Sequence, residues 1–145
     1  MTLSQTNKKN TTMEKVKVIV EIADCGFSAY MADNSLDYSC IGEGSTVKET
    51  VEDFKKSYEG MKDYFAETGR PFKEVEFDFR FDTASFLEEY SGVFSLSGLE
   101  RITGVNQTQL GHYLHGRHKP SRRTVERIQK GVEEFTKELS AFKFA

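Results

Sequence analysis

The chain contains no tryptophan, two cysteines and two prolines in 145 residues. It has no apolar run near the ~18 residues that a membrane-spanning helix needs, so a membrane-embedded role is excluded from the expectations. Two cysteines, Cys25 and Cys40, are too few to staple a secreted domain of this size, and they read as free thiols in or near a core. The N-terminus, MTLSQTNKKNTTMEK, lacks the apolar stretch of a secretory signal. Residues 1–14 read as a polar, disordered tail, and the expected location is the cytoplasm. The two prolines, Pro71 and Pro120, both fall where a helical pattern stops.

Net charge is −3, but it is unevenly spread. Residues 13–82 hold nine basic and sixteen acidic side chains, and residues 83–145 hold nine and seven. Within 101–130 seven cations (Arg101, Arg117, Lys119, Arg122, Arg123, Arg127, Lys130) face a single acid, Glu126. An acidic half joined to a half with a basic stripe implies two different partners. The stripe suits phosphates. The acidic half would repel nucleic acid, so its partner is expected to be a protein, and a basic one fits.

The hydrophobic period changes once along the chain. In KVKVIVEIA (Lys15–Ala23) the residues Val16, Val18, Val20 and Ile22 share one face at period two, as in a strand. Asp24-Cys25-Gly26 is a turn, and Phe27, Ala29 and Met31 alternate in a second strand. Residues 33–40 read as a polar loop, and Ile41–Gly44 as a short strand. Thr46-Val-Lys-Glu49 has the spacing of a capping box. The helix it opens carries Val47, Val51, Phe54, Tyr58, Met61 and Phe65 in one stripe, ended by Gly69-Arg70-Pro71. VEFDFRF (Val75–Phe81) alternates strictly, with Val75, Phe77, Phe79 and Phe81 on the core face. The order β-β-β-α-β predicts a small sheet covered by one helix over residues 15–82.

From Thr83 the period is helical. Helices are expected at Ala84–Tyr90, Leu96–Thr103, Gln107–His115 and Arg122–Phe142, with caps at Ser95, Asn106 and Ser121. The pair around Gly104-Val105-Asn106 has the layout of a helix-turn-helix, held by Leu99, Ile102, Val105, Leu110 and Leu114. That leaves Asn106, Gln107, Thr108, Gln109, His112 and Tyr113 for groove and phosphate. Gln can bond adenine bidentately, and Thr can contact a base or a thymine methyl. Arg117, Lys119, Arg122 and Arg123 would neutralise phosphates, and the helix N-termini at Asn106 and Ser121 would add backbone donors. The long last helix carries more apolar residues than a small domain uses, which points to a dimer seam.

Two chemical readings compete and are weaker. His112, His115 and His118 could approach a metal, but Gly116 and Pro120 break the helix between them, and no metal is expected. Glu21, Asp24, Glu52, Asp53, Glu76 and Asp78 invite a metal-dependent nuclease, yet Glu76 and Asp78 sit on the solvent face of their strand. No nucleophile–base pair or phosphate-cradling loop stands out, so no enzyme and no cofactor are expected.

The run Gly26-Phe27-Ser28-Ala29, a polar loop, then Gly42-Glu43-Gly44-Ser45-Thr46-Val47-Lys48-Glu49-Thr50 resembles the N-terminal domain of HicB antitoxins. Followed by a helix-turn-helix of the Xre/Cro type, the chain as a whole resembles the HicB family of type II toxin–antitoxin systems over about residues 15–140. The resemblance implies an α+β protein: a partial RNase H-like domain over 15–82 without nuclease activity, then an all-α helix-turn-helix domain over 83–145. It implies an antitoxin that binds and neutralises a HicA-type mRNA interferase and represses its own operon by binding double-stranded promoter DNA. It further implies a homodimer or higher homo-oligomer. The other reading is a stand-alone helix-turn-helix regulator with an N-terminal ligand-sensing or dimerisation domain.

Overall fold

The computed structural model describes residues 12–32 and 35–145. It is a mixed α+β protein with one four-stranded sheet and five helices among the described residues. Strand β1 (Lys15–Ala23) pairs antiparallel with β2 (Gly26–Met31), and β2 pairs antiparallel with β3 (Ile41–Gly44). The long helix α1 (Val47–Glu67) then returns the chain to the opposite edge, where β4 (Glu76–Phe81) runs parallel to β1. The sheet order is therefore β3-β2-β1-β4. Four helices follow: α2 (Thr83–Glu89), α3 (Leu96–Thr103), α4 (Gln107–Leu114) and α5 (Arg122–Ser140). The sequence places every one of these elements, with ends displaced by one or two residues, as fraying and cap geometry ordinarily cause.

The capping box that opens α1 is complete. Thr46 Oγ1 accepts from the Glu49 N–H, and the Glu49 carboxylate accepts from the Thr46 and Ser45 N–H groups. Those donors hold the Glu49 carboxyl below its ordinary range, the Ser45 hydroxyl contributing most. Val16, Val18, Val20, Phe27, Ala29 and Met31 are buried as alternation predicts, and Phe54 and Phe65 close over them from α1.

Three expectations need correction. Ile22 and Phe81, assigned to the core face, are 41% and 42% exposed. Helix α1 lies mainly over β3 and β2, and it meets β4 through Phe54 and Tyr58 against Phe77 and Phe79. The corner made by Ile22 and Phe81 lies outside that cover. Second, the segment read as a polar loop carries part of the core: Tyr38 and Cys40 are buried. The Tyr38 ring stacks on Phe72 at 4.6 Å, and its hydroxyl donates to the Lys73 carbonyl at 2.6 Å. Arg70 fixes the same loop by pairing with Asp37 at 3.0 Å while lying over the Phe65 ring. Cys40 fits the expected buried thiol, but Cys25 is exposed on the β1–β2 turn. Third, Glu14, expected within the disordered tail, is bonded to the sheet domain. The Glu14 carbonyl accepts from Glu76 N–H at 2.9 Å, and its carboxylate pairs with Lys73, which lowers its pKa. The rest of that expectation, residues 1–11, lies outside the described residues.

The second core gathers Leu87, Leu99, Val105, Leu110, Tyr113 and Ile128. Helix α5 approaches α3 so closely that Gly131 is required there: a Cβ at that position would sit 2.6 Å from the Ile102 carbonyl oxygen. No helix among the described residues is long and apolar enough to cross a membrane.

Candidate nucleic-acid interface

The turn between α3 and α4 is built from short-range bonds. Ser95 Oγ accepts from Gly98 N–H and starts α3. Gly104 ends it in the left-handed region, at φ 71°, where its N–H reaches the Glu100 carbonyl at 2.7 Å. The Thr103 hydroxyl donates to the Leu99 carbonyl at 2.7 Å and accepts from Val105 N–H at 3.1 Å, so it ties the turn on both sides. Val105 drops into the core, and Asn106 Oδ1 accepts from Thr108 N–H at 2.8 Å to begin α4. From α5, Arg127 donates to the Gly104 carbonyl at 2.8 Å and holds the turn against the last helix.

Helix α4 directs Leu110 and Tyr113 inward, and Leu114 packs beside them. At ~100° per residue the opposite face carries Thr108 and His112, with Gln109 flanking it, while Gln107 opens the helix on the side of Leu114. Asn106, Gln107, Thr108 and Gln109 are all exposed, and His112 is half-buried. The exit from α4 is basic: Arg117, Lys119, Arg122 and Arg123 are all exposed. Arg122 pairs with Glu126 at 3.1 Å, whereas Arg117, Lys119 and Arg123 make no ion pair among the described residues. A polar helix face beside three unpaired cations can meet a groove and its phosphates together.

Two candidate contacts are corrected. Tyr113 is not available to a groove: it is 4% exposed and belongs to the second core, because three residues beyond Leu110 returns the chain to the inner face. The N-terminus of α4 is also not an open anion seat. The Gln107 N–H donates to the Glu100 carboxylate at 2.6 Å and the Thr108 N–H to Asn106, so two of its donors are committed within the chain. At α5 the Ser121 hydroxyl takes the Thr124 N–H, which leaves the first two positions, Arg122 and Arg123, facing outward.

Glu100 and Thr103 shape the site through bonds not expected from the sequence, and Arg127, counted there among the seven cations, binds the turn itself. Glu100 and Gln107 stand seven residues apart across the turn, a spacing that carries no signal unless the turn geometry is known.

The two weaker readings have a definite geometry as well. His112 and His118 lie with ring centroids 5.2 Å apart, but no group of three or more His, Cys, Asp or Glu side chains converges to hold a metal among the described residues. The acids of the sheet are dispersed: Glu21 accepts from the Tyr30 hydroxyl, Asp53 from the Glu43 N–H, and Asp78 pairs with Arg80. Comparison with known proteins finds no matching family model, no matching curated protein and no matching solved structure.

Proposed function

We propose that this protein is an antitoxin of the HicB type: its sheet domain binds and neutralises a basic mRNA interferase of the HicA type, and its helix-turn-helix binds promoter DNA and represses the operon. The observation that carries the DNA half is the exposed polar first turn of α4, Gln107-Thr108-Gln109, set on a closed core beside Arg117, Lys119 and Arg123. Gln107, Thr108, Gln109 and His112 contact base edges, and the cations contact phosphates.

The toxin half is supported by charge and topology. Residues 13–82 carry seven more acids than bases, which suits a basic partner and opposes its RNA. The sheet order β3-β2-β1-β4, with the edge strand β4 parallel to β1 through α1, is compatible with a partial RNase H-like domain. The proposal includes no catalysis by this chain, a cytoplasmic location, and pairing of two copies so that two reading helices address a palindromic operator.

Co-expression with the product of a neighbouring small, basic reading frame is the test of the first half. Growth is restored if the reading is right; continued arrest overturns it. For the second half, Gln107→Ala with Gln109→Ala weakens operator binding selectively. Arg123→Ala weakens binding to all sequences and lowers the salt slope by about one unit. Unaltered mobility shifts in every variant would remove α4 as the reader. A stand-alone ligand-sensing regulator is the second reading, favoured by the open groove of about 670 Å³ between β4 and α5, and rescue of growth excludes it.

A further inference from the structure

Strand β4 forms one edge of the sheet, and its outer side has no strand beside it among the described residues. The Glu76 N–H and the Asp82 N–H both donate toward β1, to the Glu14 and Val20 carbonyls. Period two along a strand then turns the N–H and C=O groups of Phe77, Phe79 and Phe81 outward. Such a row of unmet donors and acceptors is a template for another strand.

This edge opens into a groove. Its near wall is Asp78–Asp82, consecutive residues of both faces, as a strand seen edge-on presents them. Its far wall is α5, with Val125, Ile128 and Val132. The groove volume, about 670 Å³, lies in the range that encloses a bound ligand or peptide segment. Phe81 and Val125 are both more than two-fifths exposed at its mouth. Four carboxylates line it, Asp78, Asp82, Glu126 and Glu133, against two cations, Arg80 and Lys130. Both cations are already paired with carboxylates, Arg80 with Asp78 and Lys130 with Glu134, and Glu126 is paired with Arg122, which leaves Asp82 and Glu133 without an ion pair among the described residues.

We propose that the β4–α5 groove docks an extended, basic segment of a partner protein, which adds to the sheet beside β4 and places alternate apolar side chains against Phe81 and Val125. Main-chain bonds to Phe77, Phe79 and Phe81 give the pairing, and the groove's carboxylates select lysine or arginine at the intervening positions. A second copy of this chain is a poorer occupant. Its own β4 brings Glu76 and Asp78, with Asp82 at its end, against one arginine, so self-pairing sets an acidic strand in an acidic groove. The proposal rests on the reading of the sheet half as the protein-binding half, and it names the surface used.

The test is amide hydrogen exchange on the full chain with a synthetic peptide, Thr-Lys-Val-Lys-Val-Lys-Thr, and its counterpart with glutamate for lysine. The lysine peptide slows exchange at the Phe79 and Phe81 amides by about tenfold or more, and the glutamate peptide does not. In Phe81→Lys with Val125→Lys, two exposed positions whose replacement leaves both cores intact, the lysine peptide has no effect. Protection by neither peptide, or by both equally, overturns the proposal. So does protection of those amides in the free chain that disappears on dilution, which assigns the edge to a second copy. Because no toxin enters this experiment, failed growth rescue beside a positive peptide result overturns the antitoxin reading and leaves the groove in place. The reverse pattern overturns only the groove.

Discussion

Removing one hydroxyl, with Tyr38→Phe, separates burial from mere contact in the loop that precedes β3. The Tyr38 ring is 5% exposed, and its hydroxyl donates to the Lys73 carbonyl at 2.6 Å. Phenylalanine keeps the stacking on Phe72 and the edge contact with Phe65, so the loss is the hydrogen bond alone, about 1 kcal/mol at neutral pH. Burial, with Tyr58 beside it, pushes the Tyr38 phenol well above its ordinary range. A raised folded pKa means that the stabilising contribution is complete below the unfolded value of about 10 and is lost as pH rises beyond it. Above that point the unfolded chain releases the proton while the folded chain retains it, and stability falls by up to about 1.4 kcal/mol per pH unit.

The variant lacks this titration. Wild type is therefore the more stable protein from about pH 7 to pH 9, the difference vanishes near pH ~11, and the order reverses above it. Cys40, whose thiol burial also pushes up, is present in both proteins, so the effect of its burial cancels in the difference. Urea unfolding followed by circular dichroism, repeated across that range, gives the two stabilities. A difference that stays constant with pH would refute the argument, since a phenol in contact with water ionises at the same pH in both states.

Gly131→Ala lowers the melting temperature, although alanine is the better helix former, because its Cβ would lie 2.6 Å from the Ile102 carbonyl; the cost is about 1–3 kcal/mol, and a gain in stability contradicts the close approach of α5 to α3. Tyr113→Ala costs about 3–5 kcal/mol, whereas Tyr113→Phe keeps both fold and DNA binding; loss of the mobility shift in a folded Tyr113→Phe protein would return that side chain to the interface. Glu100→Gln removes a charge at the start of α4 while keeping an acceptor for Gln107 N–H. DNA binding at low salt strengthens about twofold, as expected for one charge ~10 Å from a phosphate in water, and weaker binding contradicts an anion beside the groove.

The elements were legible because each has a local cause. The alternation in KVKVIVEIA and VEFDFRF, the Thr46–Glu49 box and the six-residue stripe of α1 need no distant partner to be read. What stayed hidden depends on distance in the fold. Tyr38 looks like a loop residue until the chain after α1 brings Phe72 and Lys73 beneath it, 35 residues later for the hydrogen bond. Ile22 and Phe81 follow the same period as their buried neighbours, and only the placement of α1 decides that they remain exposed. Tyr113 was misplaced for a different reason: a polar tip on an aromatic ring suits a core and a groove equally, and the position on the helix decides between them. Glu100 and Arg127 bond to main-chain groups of the turn, and no side-chain pattern records such partners.

Asp82 shows why the two halves need not behave as separate modules. Its N–H is the last rung of the β1–β4 ladder, at 3.0 Å from the Val20 carbonyl, and its carboxylate caps α2 through Ser85 N–H at 2.8 Å. Helix α2 then packs on β1 and β4 and, through Leu87, joins the core that supports α3 and α4. The change of hydrophobic period at this point thus falls on a shared residue with no loose segment between the halves. A strand added beside β4 would load that residue and touch α5 across the groove, both of which support α4. Coupling between the two partners requires a difference in their contacts, not distance. If the added strand draws α5 toward β4, the Arg127 bond to Gly104 is the first that must lengthen, and DNA affinity falls as the groove fills. If α5 keeps its place, the two ligands bind independently. Operator titration in the presence and absence of the lysine peptide separates the two cases, and Arg127→Ala, which removes the bond in advance, abolishes any difference in the first.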